Sequence, residues 1–364
     1  MQTLLNTHCK KTLPGKVKFQ FGQLAKTLLG AVNPQDQAQL PRQYNFDAHV
    51  FNRHYASTHY GIMIPDLPEP YRYLSFASII GDIGTKVTHT PMKLTGLIPE
   101  NTATLVHGTA VSHNAEAYRI YNAQDDLNFQ QSPFRVDYEQ DASLYEQDGV
   151  YHLRSNLEDL AVELTLTPTP AITWFSHSVF YQHFSVLMQY SGYLIQQGEK
   201  IEIAGLCTLE HWKAVARSML PSPLQSSIAL LPLDSFSYQV INLDDERQLV
   251  LAYVGFAGQP CYTAVSYRHV DGTSIQFDGD VHFQVIALKT EPQVTPDEHV
   301  MELPQSFRWI AHHDGEKVLD ILAVADTDYC YGLGAGYVSA FQWSGLVLGA
   351  DQTGRGYIEY IDRR

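Results

Sequence analysis

Cysteine is scarce. The 364-residue chain has four, Cys9, Cys207, Cys261 and Cys330, so widely spaced that no CxxC pair occurs. That excludes a disulfide scaffold and a zinc ribbon, fits a reducing compartment and predicts free, partly buried thiols. Positive charge is also short. Lys and Arg total 24 against 39 Asp and Glu, a net charge of −15, so nucleic acid, whose phosphates would be repelled, is not an expected partner. No apolar run approaches the roughly 18 residues that a membrane-spanning helix needs. The opening MQTLLNTHCKKTLPGKVKF lacks a long apolar stretch before a small-residue cleavage site, which argues against a secretory signal and for the cytoplasm. GxSxG and GxxxxGK[ST] are missing too. Gly332-Leu333-Gly334-Ala335-Gly336 lacks the third glycine of a phosphate loop and reads as a bend or bulge.

What the chain does have is strand-forming residues, 22 Tyr and 16 Phe among them. The stretch Phe184 to Trp212 (FSVLMQYSGYLIQQGEKIEIAGLCTLEHW) reads as a β-hairpin, with Gln197-Gly198-Glu199-Lys200 as its turn. Val338 to Asp362 is a weaker copy. Gln189-Tyr190-Ser191-Gly192 matches Gln342-Trp343-Ser344-Gly345, and Gly205 and Glu210 match Gly354 and Glu359. A second echo, Asp148-Gly149 and Asp278-Gly279, each followed by a strand containing a His (His152, His282), keeps the same order relative to the hairpins. The expected fold is all-β: two tandem antiparallel barrel or sandwich domains joined by a short helix over His211–Leu220, which Pro221 and Pro223 terminate. The expected divisions are residues 1–35, a basic leader; 36–215, the first β domain; and 216–364, the second.

The leader carries Lys10, Lys11, Lys16, Lys18 and Lys26 and no acid. Over residues 19–32, Phe21, Leu24, Leu28 and Leu29 have helical spacing. This segment is a candidate for contact with an anionic membrane surface, the simpler alternative being a surface helix packed on its own domain. Residues 33–70 are rich in Pro, Gln, Asn and His and read as an extended entry. From Tyr71 onward, short strands alternate with polar turns: 71–80, 102–112, 118–121, 134–138, 150–154 and 161–167. In the second half they fall at 237–242, 248–256, 262–269, 281–288 and 318–325.

With its halves laid side by side, the chain resembles the double-lipocalin proteins: AttH-like proteins, carotenoid 1,2-hydratases and fungal survival-factor-like proteins. Tyr190-Ser191-Gly192 and Gly205-Leu206-Cys207-Thr208-Leu209-Glu210-His211-Trp212 carry the resemblance. It implies two lipocalin-like halves and the handling of a lipid or isoprenoid. The fungal members have an amphipathic N-terminal segment, to which residues 19–32 are similar in kind.

Glu210 is the candidate catalytic residue. Neighbours on a strand face opposite ways, so Glu210 shares a face with Trp212 and not with His211. A Glu beside an aromatic ring in an apolar barrel could act as a general acid on an alkene. Against this stands Glu359, its duplicate, since one active site rarely needs two; a structural Glu bonded to backbone or paired with Arg is the plainer account. His177 with His183, and His107 with His113, are weak metal pairs without a third ligand, so no metal or other cofactor is expected. Asp82 reads as a turn former. An aromatic-rich region supplies Trp174, Phe180, Phe184 and Tyr190 as candidate ligand-binding residues, with Met188 and Trp212 beside them, the plainer alternative being a solid barrel core. The expected partner is an apolar small molecule, lipid or isoprenoid, held in the first half or between the halves. The alternatives are a cofactor-free hydratase, cyclase or isomerase acting on an apolar alkene, and a β scaffold for another protein.

Overall fold

The computed structural model describes residues 40–89, 99–112, 118–157, 159–219, 232–277 and 279–364. Cys9, the 19–32 segment and His113 lie outside them. The first half contains β1 (Tyr55–Ile64), β2 (Leu74–Ile80), β3 (Thr102–Gly108), β4 (Tyr118–Asn122), β5 (Leu127–Gln130), β6 (Arg135–Tyr138), β7 (Ala142–Gln147), β8 (Val150–Leu157), β9 (Leu160–His177), β10 (Tyr181–Gln196) and β11 (Glu199–Val215). They form one antiparallel sheet in the order β4-β3-β2-β1-β11-β10-β9-β8-β7-β6-β5. The second half contains β12 (Leu233–Asn242), β13 (Arg247–Phe256), β14 (Gln259–His269), β15 (Ser274–Phe277), β16 (Asp280–Leu288), β17 (Gln293–Val294), β18 (Val300–Met301), β19 (Pro304–His313), β20 (Glu316–Ala325), β21 (Cys330–Leu333), β22 (Gly336–Val347) and β23 (Ala350–Asp362). Its main sheet runs β15-β14-β13-β12-β23-β22-β20-β19-β16, with β21 on β22 and β17 paired with β18. The protein is all-β, and both sheets curl into tandem barrel- or sandwich-like halves.

The two orders are the same plan. In each half the first strand pairs with the last (β1 with β11, β12 with β23), and the hairpin that ends the half lies beside a second hairpin, β8–β9 or β19–β20. Gly192 and Gly345 show why the motif repeats. Each has a positive φ, 153° and 146°. A Cβ on either would stand 2.1 Å from a neighbouring carbonyl oxygen, that of Glu163 or of Asp320, so only glycine fits. The turn between β10 and β11 is at Gln197-Gly198, both with positive φ, as expected for a tight hairpin.

Three departures are informative. The helix expected over His211–Leu220 is strand as far as Val215, followed by a single 3-10 turn, Arg217–Met219. The sheet claims these residues because β1 and β10 flank them on both sides and supply backbone partners. Strand β1 falls in the stretch read as an extended entry; it is buried on both faces, so its apolar and small polar residues show no alternation. The Asp-Gly echo joins places that are not equivalent: Asp148-Gly149 is the turn between β7 and β8, whereas Gly279 precedes β16 at the edge of the second sheet.

Each half has its own core. Phe46, Tyr60, Ile62, Phe76, Phe184 and Val186 belong to the first; Leu249, Phe307, Trp309, Ile321 and Phe341 to the second. A third cluster lies between the halves and joins Met63, Tyr73, Ala77 and Phe175 to Tyr238, Val240, Val250 and Tyr357. The sheets therefore pack through the faces opposite their own cores. Arginines tie this seam. Arg268, completely buried, reaches from β14 to the carbonyl and hydroxyl of Ser185 on β10, both 3.0 Å away, and also donates to Gln248. Arg72, from the first half, donates to Asp326 of the second at 2.6 Å.

Candidate functional site

The site starts from alternation on two central strands. On β11, Leu209 and Cys207 point into the first core and His211 packs against the rings of Phe46, Tyr60 and Phe184. Glu210, Trp212 and Ala214 therefore face the second half. On β23, Ile358 and Tyr360 enter the second core, which turns Tyr357 and Glu359 toward the first. Glu210 pairs with Gly61 and Ser185; Glu359 pairs with Tyr238 and Val338. The duplicated glutamates meet across the seam. Both line one cavity of about 210 Å³, several times the roughly 30 Å³ share of a water molecule. Its walls are mainly apolar: Phe175, Phe180 and Trp212 from the first half, Phe236, Ala252 and Ile361 from the second.

Around Glu210 the polar groups are specific. His183 Nε2 lies 2.6 Å from Glu210 Oε1, and its Nδ1 lies 3.1 Å from the Tyr181 hydroxyl. These three form a chain, Tyr181–His183–Glu210. His59 Nε2 stands 3.9 Å from the same carboxyl oxygen, while its Nδ1 donates to the Ser78 carbonyl at 2.8 Å. Its ring stacks on Trp212 at 5.7 Å. Gly61 leaves it room, since a Cβ there would sit 2.8 Å from His59 Nε2. Burial pushes the His59 imidazole down to about 4, so it is neutral at pH 7. Glu210 is buried too, which by itself would raise its carboxyl. The His183 ring, with smaller help from the nearby Tyr238 hydroxyl, reverses this and holds the carboxyl below the ordinary range. Glu210 Oε2 has no hydrogen bond of good geometry.

Glu359 is buried just as deeply, and both glutamates are 3% exposed. The Tyr357 hydroxyl donates to its Oε1 at 3.1 Å and is itself 3.0 Å from the Ser75 hydroxyl. Burial first, and the Glu210 charge second, raise the Glu359 carboxyl well above the ordinary range. One cavity thus holds a carboxylate and a carboxylic acid, the separation that marks acid and base partners.

Of the residues expected from sequence, Glu210, Phe180 and Trp212 line this cavity. Trp174, Phe184, Met188 and Tyr190 lie in the packed core of the first half. The two matching glutamates, Glu210 and Glu359, line the same cavity. His59, His183, Tyr238 and Glu359 are also part of its polar lining. The duplicated Glu itself was the signal for Glu359, whereas only the pairing of β1 with β11 places His59. His107 bonds to the Ser155 hydroxyl at 2.9 Å, and His177 packs on Trp174. Among the described residues no three His, Cys, Asp or Glu side chains converge as metal ligands. Cys207 and Cys261 are buried thiols outside any disulfide. Asp82 accepts the Gly84 amide at 2.6 Å and closes a turn. The Gly332–Gly336 segment is a bulged connection between β21 and β22. Among the described residues no helix is long and apolar enough to cross a membrane.

Comparison with solved structures finds the crystal structures of CghA with Sch210972 and of CghA. Each has a TM-score of 0.43 and 7% identity, and each match covers 84% of this chain and 88% and 87%, respectively, of CghA. No curated protein matches the sequence. A family model matches residues 77–364, and the chain belongs to that family, DUF6670, a family of unknown function.

Proposed function

We propose that the protein binds an apolar small molecule, of lipid or isoprenoid kind, in the cavity between its halves. The observation that carries this reading is a cavity walled by apolar side chains of both sheets, with a few ionisable groups converging on it. Binding sites of small molecules have this composition and occur at such junctions. The tandem curled sheets also support the lipocalin-like reading of the fold. The test is native mass spectrometry of the purified protein with solvent extraction of its adducts, repeated on Ala252→Phe, which fills the cavity. A bound apolar compound, lost in the variant, is the expected result. A clean mass, together with no uptake of the apolar fluorophore N-phenyl-1-naphthylamine, would overturn the reading.

A second reading is favoured by the Tyr181–His183–Glu210 chain. A buried, hydrogen-bonded carboxylate in a mainly apolar cavity is equipped for proton transfer, which suits a hydratase, cyclase or isomerase that needs no cofactor.

A further inference from the structure

Glu359 raises a question that binding of a plain hydrocarbon does not answer. It lies buried, has no cation beside it among the described residues, and shares its cavity with the Glu210 carboxylate. An uncompensated buried charge is too costly to keep, so the group is held as the acid. Its bond with Tyr357 uses it as acceptor, which leaves the carboxyl proton to be donated elsewhere. Glu210 presents the converse case. His183 holds Oε1, and the Tyr238 hydroxyl lies beside the same carboxylate, which lines the cavity as an acceptor only. A hydrocarbon would leave the Glu359 donor without a partner, whereas a ligand with an acceptor oxygen would engage it, and an acidic C–H next to that oxygen would lie toward the Glu210 carboxylate.

We propose that Glu359 and Glu210 act on one bound molecule as hydrogen-bond acid and proton-accepting base, and that this molecule is an apolar ketone or unsaturated ketone. This rests on the apolar-ligand reading and adds a substrate class to it. Glu210 takes a proton from the carbon next to the carbonyl. That C–H bond breaks, a carboxyl O–H bond forms, and the electron pair moves into the new C=C bond of an enolate. The charge gathered on the ligand oxygen is met by the Glu359 O–H. Glu210 then returns the same proton. With a β,γ-unsaturated ketone the return is to the far end of the dienolate, and the double bond shifts by one position. No atom is gained or lost and no cofactor is consumed. His183 and Tyr181 position the Glu210 carboxylate, and the apolar walls exclude water.

Two measurements on the full chain test this. The first compares the binding of 2-naphthol, which mimics an enol, with that of naphthalene, which has the same skeleton without oxygen. Tighter binding of 2-naphthol by about tenfold is expected, as one hydrogen bond in a dry site provides. Glu359→Leu should abolish the preference and keep naphthalene binding; Glu359→Gln, a neutral isostere, confirms that the fold tolerates change there. The second follows exchange of the α-protons of 2-tetralone in D2O by NMR. The protein should accelerate exchange, and Glu210→Gln should slow it by about a hundredfold. Equal binding of both naphthalenes, or exchange that Glu210→Gln leaves unchanged, overturns the assignment and leaves the cavity as a binding site. Failure of both probes to bind overturns the cavity reading as well.

Discussion

The two halves share one plan and differ where they meet. Pairing on the central strands aligns them: Gly61 faces Glu210 as Tyr238 faces Glu359, and His59 faces Trp212 as Phe236 faces Ile361. On the third strand His183, two residues before Ser185, takes the place of Gly336, two before Val338. The first half thus surrounds its Glu with two imidazoles and an indole, and the second surrounds its Glu with apolar groups and tyrosine. Identical strand positions give identical carboxyl groups, and the neighbours set opposite protonation states. The repeated strand plan places the pair of acids, and the different residues around them make the pair asymmetric.

The seam offers the largest test of this comparison, because the halves hold each other through unlike arginines. Both arginines are buried, but the groups that Arg268 meets, Ser185 and Gln248, are buried and neutral, whereas Arg72 meets carboxylates that reach solvent, Asp326 across the seam and Asp66 and Glu69 in its own half, their side chains 18%, 46% and 58% exposed. Arg268→Ala should cost about 3–5 kcal/mol, because Ser185 and Gln248 lose a buried donor and Glu210 loses a nearby positive charge. Arg72→Ala should cost less. Urea unfolding of the two variants measures the difference; equal losses would mean that the seam is not organised around Arg268.

The next test asks whether the repeated glycines are structural twins. Gly192→Ala and Gly345→Ala should each destabilise by about 2 kcal/mol or more, since both place a methyl group against a carbonyl oxygen in a left-handed backbone region. Thermal denaturation that spares one of them would break the equivalence of the hairpins.

The carboxyl pair gives a smaller effect with a distinctive pH dependence. A carboxyl raised on folding takes up a proton as the chain folds. Stability is then greatest below the unfolded carboxyl value, near 4.5, and declines as pH rises above it, by about 1.4 kcal/mol per pH unit until the folded value is reached. Glu359→Gln removes that decline. It should stabilise the protein by roughly 1–3 kcal/mol at pH 7 and by little at pH 4. Glu210→Gln should act oppositely at pH 7, because the carboxylate that accepts from His183 is lost. Guanidinium unfolding at both pH values distinguishes them, and a gain from Glu210→Gln would reverse the assignment of charge.

Much of this architecture was legible in the residues. QYSG and QWSG mark the two hairpins because the same close approach of strands demands glycine in each. Alternation correctly put Glu210 with Trp212 and against His211. Strand β1 was hidden because burial on both faces erases the period of two. Hidden too was the meeting of Glu210 with Glu359, which depends on how two sheets pack back to back. No local pattern encodes that packing; it rests on residues such as Tyr238, Phe175 and Arg268, each ordinary in its own strand. Trp174 and Phe184 show the same limit from the other side, since an aromatic that fills a core and one that lines a cavity look alike in sequence.

The smallest test returns to the outer faces of the hairpins, where the halves are analogous and exposed. Glu163 pairs with Arg154 at 3.2 Å, and Asp320 pairs with Arg308 at 2.7 Å and with Lys317 at 2.7 Å. The Arg308 hydrogen bond, with help from Lys317, draws the Asp320 carboxyl down to about 2. A carboxyl lowered on folding contributes stability that is complete above its unfolded value near 3.8 and is lost as pH falls toward 2. Because both cationic side chains are well exposed, the contribution is that of a surface pair, about 0.5–1 kcal/mol. Asp320→Asn should therefore lower the midpoint of urea unfolding slightly at pH 7 and not at pH 2, and high salt should shrink the loss. Glu163→Gln should cost less, because a single exposed arginine faces it. A larger loss there would mean that the Tyr193 hydroxyl, 2.7 Å from Glu163, contributes more than the second cation does at Asp320.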